Sequence, residues 1–476
     1  MYKNILLLPI LLLLAWACSN PNNANKTLQN ADSTMTANTD TLIKTSQLEK
    51  VTHPTWAKNA TMYEVNLRQF SKAGTFKAFE KEISRLKAMG VDIIWFMPIH
   101  PIGIEGRKDP KNNGKSMGSY YAVKDYKAVS SDYGTIEDFK SLVDTIHRAG
   151  MYVIIDWVAN HTSPDNAWVK QNPEWYNKDS TGKIVPPVPD WSDTADLNFD
   201  NQDMQNAMID ALKFWVSDCK IDGYRCDVAG MVPISFWNKV RPELKKINPN
   251  IFMLAEAWEP NLHTYAFDAT YDWELHHVMN DIAKGKKDGL AINDYLAKID
   301  TMYENDNIQL QFTSNHDENS WNGTEFERLG AGVEAFAVLA ATIKGMPLVY
   351  SGQESANKKR LEFFYKDAIN WGNYSKKEFY TTLLNLKHQN NALANGSQGA
   401  NVQRIKTDND KHVLVFKRQK DTNEVVVVIN LSNKPQKVIF EATKNDYTDA
   451  FTKKMVTLNE INTQTLKPYS YQILSK

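Results

Sequence analysis

Hydrophobic and polar positions form two repeating patterns through the middle of the chain. Short runs that are apolar at almost every position, such as residues 91–97 and 151–156, are typical of strands buried on both faces. Longer segments with apolar residues three or four positions apart, such as 76–89 and 136–149, predict amphipathic helices that each stop at a glycine. Strands that alternate with helices in this way predict a parallel sheet with right-handed crossovers.

The alternation continues until eight strands are predicted, a number that favours a closed barrel over an open sheet. The predicted strands cover residues 62–67, 91–97, 151–156, 221–227, 251–256, 267–270, 308–313 and 346–350, and further helices are predicted over 204–216, 234–247 and 333–343. Neither G-x-G-x-x-G nor G-x-x-x-x-G-K-[ST] follows any of these strands, which removes the main support for a nucleotide-binding sheet. The predicted fold class is therefore α/β, a (β/α)8 TIM barrel.

Two regions depart from this repeat. Residues 162–198, between the third strand and its helix, are rich in Pro, Trp, Asn and Asp. They predict a short inserted B domain at the carboxyl end of the barrel, where it can wall a cleft. From residue 399 the pattern becomes short alternating strands, which is typical of an all-β sandwich. The predicted domains are thus a (β/α)8 barrel over residues 54–398 and a C-terminal β-sandwich domain over residues 399–476.

The N-terminal region does not share the globular pattern. Lys3 followed by the apolar residues 5–14 is typical of a targeting segment, and the apolar run is too short to span a bilayer. A small residue directly before Cys18 resembles the end of a bacterial lipoprotein signal, so residues 1–18 are predicted to be that signal, with Cys18 lipidated. Residues 19–53, rich in Asn, Thr, Ser and Ala, predict a flexible tether. We expect an exported protein, lipid-anchored to a bacterial membrane in the periplasm or at the cell surface; ordinary secretion and an uncleaved anchor remain alternatives.

Composition excludes some classes of partner. With 476 residues, 42% of them hydrophobic, the chain can bury a large core, and a formal net charge of −1 gives no electrostatic reason to expect nucleic acid. Besides Cys18, the cysteines are Cys219 and Cys226, for which a buried apolar role is favoured over a disulfide or a metal site. The 13 Trp and 20 Tyr suit either the core or the flat faces of sugars.

Chemically active side chains collect where the predicted strands end. In a (β/α)8 barrel these ends meet at one rim, which carries the functional residues. The residues are Asp156, Asn160 and His161 at the third strand, Arg225 and Asp227 at the fourth, Glu256 at the fifth, and His316 and Asp317 at the seventh. Any one of them could be a helix N-cap, a satisfied polar group or half of a structural ion pair. Their shared position at one rim indicates a functional site.

Glycosidic cleavage with retention suits this set, because it needs one ionised carboxylate as nucleophile and one protonated carboxyl group as acid and base. Arg225 and Asp227 point to the same face of a strand, so the arginine is expected to keep Asp227 ionised. Glu256 has apolar sequence neighbours, which are expected to keep it protonated. Asp317 and the nearby histidines could hold sugar hydroxyls. The rival chemistry, hydrolysis by a divalent metal at an Asp/His rim, predicts a metal dependence.

Six short motifs occur in order along the barrel. They are D-W-V-A-N-H (156–161), A-D-L-N (195–198), G-Y-R-C-D (223–227), L-A-E-A-W (254–258), S-N-H-D (314–317) and G-M-P-L-V-Y-S-G-Q-E (345–354). In order, spacing and strand placement they resemble the α-amylase family, glycoside hydrolase family 13. The resemblance covers residues 55–398, and the C-terminal sandwich is similar to the family's usual appendage.

The resemblance implies roles for the rim residues. Asp227 matches the family's nucleophile, Glu256 its acid/base and Asp317 its transition-state stabiliser. The substrate-binding set implied by the resemblance has Tyr121 stacked on the sugar and His161 and His316 in contact with it. Arg225 would orient the nucleophile, and Asp156 matches the conserved aspartate of the first motif. Asn160 matches a calcium ligand of the family, so a structural calcium is possible, although no cofactor is required for the chemistry. The implied substrate is an α-glucan, a malto-oligosaccharide or a short α-glucoside, cleaved with retention.

One departure bears on specificity. Many α-amylases follow the nucleophile with a Lys-His pair that serves the leaving-group side of the cleft and calcium, whereas this chain has Gly230 and Met231. The departure weakens the hypothesis of an endo-acting α-amylase. It favours instead an enzyme that acts on short malto-oligosaccharides or α-glucosides. A transglycosylase of the same family and a catalytically inactive glucan-binding surface protein remain as alternatives. The inactive protein is disfavoured because all three family carboxylates are present.

Overall fold

The structure, a computed structural model, describes residues 48–476. The predicted signal peptide, the lipidation at Cys18 and most of the predicted tether lie outside the described residues and stay predictions. Within them the chain joins the barrel early: the ring of His53 contacts Asp268 Oδ1 at 2.9 Å and the backbone oxygen of Asp306 at 3.0 Å. No helix in the part of the chain from Leu48 onward is long and apolar enough to cross a membrane.

The first ten strands build the barrel and one small two-stranded sheet beside it. They are β1 (Met62–Val65), β2 (Ile93–Phe96), β3 (Tyr152–Trp157), β4 (His161–Thr162), β5 (Ala195–Asp196), β6 (Gly223–Cys226), β7 (Phe252–Ala255), β8 (Ala269–Tyr271), β9 (Ile308–Gln311) and β10 (Met346–Tyr350). Eight of them close in the order β1-β10-β9-β8-β7-β6-β3-β2, and every pairing between them is parallel. The predicted (β/α)8 barrel is confirmed, including the short strand predicted over residues 267–270, which is β8.

Helices surround the closed sheet. They are α1 (Leu67–Phe70), α2 (Phe76–Glu80), α3 (Ile83–Met89), α4 (Ile136–Arg148), α5 (Ala167–Gln171), α6 (Gln202–Asp218), α7 (Ile234–Lys245), α8 (Leu262–Tyr265), α9 (Trp273–Ala283), α10 (Leu290–Met302), α11 (Glu325–Leu329), α12 (Val333–Thr342) and α13 (Lys377–Gln389). The single helix predicted over 76–89 is two helices, because a turn at Lys81 and Glu82 interrupts it. Helices α9, α10 and α13 were not among those predicted, although α10 has apolar residues at helical spacing, namely Ile292, Tyr295, Leu296 and Ile299.

Two apolar cores hold the barrel together. The larger core lies between the sheet and the helices and includes the buried, unpaired thiols of Cys219 and Cys226, as predicted. The smaller core fills the barrel interior with side chains such as Trp95, Leu254 and Tyr271. Because the interior is packed rather than open, polar chemistry is confined to the strand ends.

The inserted segment is closed at its base by β4 and β5, which pair antiparallel with His161 opposite Asp196. It contains the short helix α5 and a 3-10 turn over Pro173–Trp175. The pairing of β4 with β5 fixes this segment at the carboxyl end of β3, directly beside the strand ends of the barrel. The insertion therefore forms one wall above the rim, in the place that the sequence predicted.

The C-terminal region is entirely β. Its strands are β11 (Gln403–Arg404), β12 (Val413–Lys420), β13 (Asn423–Asn430), β14 (Gln436–Glu441), β15 (Asn445–Asp449), β16 (Met455–Leu458), β17 (Ile461–Leu466) and β18 (Tyr471–Ser475). Six strands form one sheet in the order β11-β12-β13-β18-β15-β16, and β14 pairs with β17. The predicted all-β domain is confirmed.

A buried arginine joins this domain to the barrel. Arg418 on β12 is fully buried. Its guanidinium donates to four backbone oxygens and to no carboxylate; they belong to Thr342 (3.2 Å), Ile343 (2.9 Å), Ala394 (3.2 Å) and Ala400 (2.8 Å). Thr342 and Ile343 end helix α12, so Arg418 also satisfies carbonyls that the helix leaves unpaired.

Candidate active site

Strand register brings the predicted carboxylates together. Asp156 on β3 is the cross-strand partner of Arg225 on β6, and Cys226 is the partner of Ala255 on β7. The N–H of Glu256 donates to the oxygen of Cys226 at 3.0 Å, so the pairing continues one residue past the strands. Asp227 and Glu256 therefore leave neighbouring strands at the same level of the rim.

One guanidinium connects three carboxylates. Arg225 is fully buried, and its Nη1 donates to Asp156 Oδ1 at 2.9 Å and to Asp227 Oδ1 at 3.0 Å. Its Nη2 lies 2.9 Å from Glu256 Oε1, and its Nε donates to the hydroxyl of Tyr271 at 3.2 Å. Three acids share one cation in a water-poor site, so their protonation states depend on one another.

This arrangement corrects the expected contrast between Asp227 and Glu256. The sequence placed Arg225 beside the first carboxylate alone, but the guanidinium contacts both. Burial raises the pKa of Asp227 well above its usual range; Arg225 opposes that rise, and Glu256 and Asp156 add to it. Burial likewise raises the pKa of Asp156 to about 6, against the influence of Arg225. The prediction was wrong because neighbours along a strand point to opposite faces and do not form the environment of Glu256.

The backbone after Asp227 holds Glu256 a second time. The N–H of Val228 donates to Glu256 Oε2 at 2.8 Å. Val228 adopts φ 37° and ψ 45°, in the left-handed region that a β-branched residue rarely occupies. A non-glycine residue in this region costs on the order of 1–3 kcal/mol of conformational energy. The backbone is therefore strained at Val228, the residue that donates to Glu256.

A second hydrogen-bonded group faces Arg225 across the rim. His316 Nδ1 donates to Glu64 Oε1 at 2.6 Å, and its Nε2 contacts the hydroxyl of Tyr121 at 2.6 Å and Asp317 Oδ2 at 3.3 Å. Tyr121 in turn donates to Asp156 Oδ2 at 3.2 Å, which links the two groups. Burial alone would lower the pKa of His316, but Asp317 and Glu64 outweigh it and raise the pKa to about 9. His316 is thus an imidazolium at neutral pH.

Access to solvent differs among the three carboxylates. The side chain of Asp317 is 36% exposed, against 10% for Asp227 and 14% for Glu256. A ligand that enters the cleft therefore meets Asp317 first and the other two at the bottom. All three remain within one connected set of polar contacts, since Asp317 joins it through His316.

His161 and Asn160 lie beside the inserted segment. The His161 ring is buried, which lowers its pKa to about 4, and it packs against Trp191 with ring centroids 5.4 Å apart. Asn160 is buried and its Nδ2 lies 3.3 Å from His161 Nδ1. Among residues 48–476 no group of three His, Cys, Asp or Glu side chains is arranged to hold a metal ion. A calcium ion at Asn160 would need further amide or carbonyl oxygens, and this site stays a prediction.

The structure joins seven predicted rim residues in one set of polar contacts: Tyr121, Asp156, Arg225, Asp227, Glu256, His316 and Asp317. Asn160 and His161 contact each other beside the inserted segment. Two residues of the set were missed. Glu64 on β1 orients His316, and Tyr271 at the end of β8 caps Arg225. Glu64 carried a signal in the sequence, because it is the one acid in a largely apolar predicted strand. Tyr271 carried none, since a tyrosine at the end of a strand is as readily a core residue.

Family comparisons agree with this architecture. The model described as "Alpha amylase, catalytic domain" matches residues 31–183 and 189–420. A second model, "Maltogenic Amylase, C-terminal domain", matches residues 402–473, which contain most of the β region. Together the two matches account for the barrel, the inserted segment and the C-terminal domain.

Individual relatives are named as hydrolases and as transferases. An α-amylase of Haloarcula japonica is 24% identical over 81% of this chain and 57% of its own length. Alpha-amylase 3 of Dictyoglomus thermophilum is 24% identical over 79% of this chain and 85% of its own. A maltosyltransferase of Arcanobacterium haemolyticum, named for α-1,4-glucan and maltose 1-phosphate, is 30% identical over 42% of this chain, which spans only 32% of that protein.

A solved structure matches over nearly its full length. The maltogenic α-amylase AmyB of Thermotoga neapolitana superposes with a TM-score of 0.78 at 29% identity, over 88% of this chain and 98% of that one. The barrel, the rim geometry and the matched catalytic-domain model all indicate the same family. The chain belongs to the α-amylase family of glycoside hydrolases.

Proposed function

We propose that this enzyme cleaves α-glucosidic bonds in α-glucans or malto-oligosaccharides with retention, by double displacement. The observation that carries the proposal is the Arg225 guanidinium, which holds Asp227 and Glu256 on adjacent strand ends. Retaining cleavage needs two carboxyl groups close together, with one proton between them at the start of the reaction. Three buried acids surround one cation, and full ionisation would leave excess negative charge in a desolvated site. One of the acids is therefore expected to stay protonated.

Burial raises the pKa of Asp227, but the reaction starts from the protonation state in which the shared proton lies on Glu256 and Asp227 is ionised. In the first step Asp227 attacks the anomeric carbon, and Glu256 transfers its proton to the departing glycosidic oxygen. The carboxylate that remains on Glu256 is the form that Arg225 Nη2 and the Val228 N–H stabilise. In the second step Glu256 takes a proton from water, whose oxygen attacks the same carbon and releases Asp227. Arg225 contacts both groups throughout, so charge can pass from one to the other without a new counter-ion.

The sugar that reacts would lie between Tyr121, His161 and the group formed by His316 and Asp317. Tyr121 presents a ring beside Arg225, and sugars stack their apolar faces on such rings. His161 is neutral and His316 is cationic, so the first can donate or accept a hydrogen bond and the second can only donate. Asp317, the most exposed acid, could grip the hydroxyls and stabilise positive charge on the distorted ring.

The names of the relatives support an α-glucan substrate, as hydrolysis or as transfer. Proteins named α-amylase and maltogenic α-amylase align along 79% and 84% of this chain, and a maltosyltransferase of Picrophilus torridus aligns along 81%, so alignment length does not distinguish the two reactions. Hydrolysis and transglycosylation use the same carboxylates and differ in whether water or a sugar hydroxyl reaches the second step. We favour hydrolysis because residues 402–473 match the C-terminal domain of maltogenic amylases, and a maltogenic α-amylase structure superposes over 88% of this chain at 29% identity.

Export, anchoring and calcium complete the proposal. The lipoprotein-type start of the sequence supports an exported enzyme that is anchored at Cys18 and acts on glucans outside the cytoplasm. Calcium at Asn160 would fix the inserted segment against β3 and take no part in bond cleavage. Labelling with a radioactive fatty acid, with Cys18→Ser as control, tests the anchor. Metal analysis of the purified protein before and after chelation tests the ion.

The central test is a digest of maltoheptaose by the protein without residues 1–18, followed by NMR. Products that appear first as α-anomers are expected from the unmodified enzyme and none from Asp227→Asn. Asp200→Asn, which changes an exposed acid of similar size, should cleave normally. Product lengths distinguish endo from exo action, and products longer than the substrate would identify transfer. β-Anomeric products, or full activity of Asp227→Asn, would refute the proposal.

A further inference from the structure

An aromatic surface extends from the rim on the side of β9 and β10. Tyr121 and Phe363 are nearly parallel, with an interplanar angle of 14° and ring centroids 6.3 Å apart. Phe363 then contacts Trp321, with centroids 5.0 Å apart and an angle of 43°. Trp321 is 52% exposed, an unusual value for the largest apolar side chain. The three rings form a continuous surface from the bottom of the site to solvent.

The loops that carry these rings are tied to the barrel and to each other. The backbone oxygen of Phe363 accepts from Arg68 Nη1 at 2.8 Å. The loop of Trp321, a π-helical turn over Glu318–Asn322, donates from Ser320 Oγ to the Leu361 oxygen at 2.9 Å. A surface that is held in this way before a ligand arrives loses little conformational entropy when the ligand binds.

The position of the surface identifies which part of a substrate it would contact. Trp321 follows β9 and Phe363 follows β10, whereas Glu256 follows β7, so the two aromatic loops stand away from the proposed acid. The acid protonates the leaving group, which must lie on its own side of the scissile bond. The sugars before that bond, toward the non-reducing end, then extend across Tyr121 toward β9 and β10.

We propose that Trp321 and Phe363 form binding positions for glucosyl units on the non-reducing side of the cleaved bond. The flat rings would stack on the apolar faces of successive sugars, and they would set a preference for glycones longer than one glucose. The inference rests on the proposed function. It adds a chain-length requirement, and it names the residues that impose it.

The test varies the glycone while the leaving group stays constant. The full chain is assayed with p-nitrophenyl α-glucoside, α-maltoside and α-maltotrioside. Trp321→Ala should lower kcat/KM about ten- to thirtyfold for the maltotrioside and leave the glucoside within about twofold, since an aromatic contact of this size contributes only where a sugar reaches it. Trp321→Phe, which keeps a ring, should recover most of the loss.

Trp258 provides the matched control, because it is the other exposed tryptophan at the rim, 40% exposed and two residues from Glu256. Trp258→Ala should not change the ratio between maltotrioside and glucoside. An equal loss for all three substrates in Trp321→Ala, or the same change in ratio in Trp258→Ala, would overturn the assignment.

A binding measurement separates this inference from the proposed function. Titration of Asp227→Asn with maltotriose, followed by calorimetry, reports affinity without turnover. Affinity should fall about tenfold or more when Trp321→Ala is added to Asp227→Asn. Cleavage that fails while this loss is seen would contradict the proposed reaction alone. Maltotriose that binds equally well without the Trp321 ring, or not at all to Asp227→Asn, would refute the aromatic surface as a glycone site.

Discussion

Arg225 and Arg418 are the same residue type, equally buried, in opposite surroundings. Three carboxylates surround the guanidinium of Arg225, and the pKa of that group is raised well above its usual range, because the carboxylates outweigh the effect of burial. Arg418 has only backbone oxygens around it, and burial lowers its pKa. The first is a centre where negative charge is concentrated, and the second is a connector between two domains.

The difference shows what burial of a charge can do for a protein. Carbonyl groups offer Arg418 fixed partial charges that cannot titrate, so the contact is equally strong in every state of the molecule. Carboxylates offer Arg225 partners that can gain or lose a proton and can exchange contacts. A site that must redistribute charge during a reaction requires the second arrangement, whereas a domain junction is better served by the first.

Replacement of Arg225 should have the largest effect. Arg225→Lys keeps the charge, but an ammonium group cannot reach three carboxylates in the same fork-like way. We expect kcat on maltoheptaose to fall about a thousandfold, in the range found when a preorganised electrostatic partner is lost. Far-UV circular dichroism of the same sample should still show the folded barrel. A loss of less than tenfold would contradict a central role for the shared guanidinium.

Replacement of Arg418 should act on stability and spare the reaction. Arg418→Met leaves four buried carbonyl groups without their donor, which we expect to cost about 2–4 kcal/mol of the free energy of unfolding. Urea unfolding followed by tryptophan fluorescence measures this loss. At low denaturant kcat should match that of the unmodified enzyme within about twofold. A fall in kcat comparable to that of Arg225→Lys would remove the distinction between the two arginines.

The imidazolium of His316 predicts a pH window for stability. Its folded-state pKa of about 9 lies above the ordinary 6.5, so its contribution is fully present below pH 6.5 and is lost as the pH rises through 9. Glu64→Gln removes one of the two carboxylates responsible and should reduce this contribution by about 1–2 kcal/mol. Thermal unfolding of both proteins at pH 6 and pH 9.5 measures it. The difference between them should be larger at pH 6; an equal difference at both values would exclude the imidazolium.

The backbone donor beside Arg225 should give the smallest effect. Val228→Gly keeps the N–H that binds Glu256 and relieves the left-handed strain, while glycine adds freedom to the unfolded chain. We expect the free energy of unfolding to rise by no more than about 1 kcal/mol, and kcat to change less than threefold. Val228→Ala, which keeps a Cβ without the branch, serves as the comparison. A large loss of kcat in the glycine variant would show that the strain itself positions Glu256.

The sequence was informative where chemistry follows from strand order. Eight apolar runs predicted the barrel, and the polar residues that follow them, from Asp156 to Asp317, were predicted to share one rim because parallel strands end on one face. It was less informative where contacts depend on side-chain reach. That Arg225 would contact Glu256 as well as Asp227, or that Glu64 would contact a histidine far along the chain, depends on register and rotamers that no local pattern contains.

Glu64 also ties the assembly of the site to the completion of the fold. Its backbone oxygen accepts from the N–H of Ser351 at 3.0 Å, where β1 meets β10, while its side chain holds His316. The junction of the first and last strands of the barrel therefore also positions the carboxylate that holds this histidine. Contacts between residues so distant in the chain form late and slowly in folding. A chain still leaving the ribosome would have no complete site until its tenth strand emerged. In a refolding experiment, the rate at which activity returns after dilution from denaturant would report the rate at which the barrel closes.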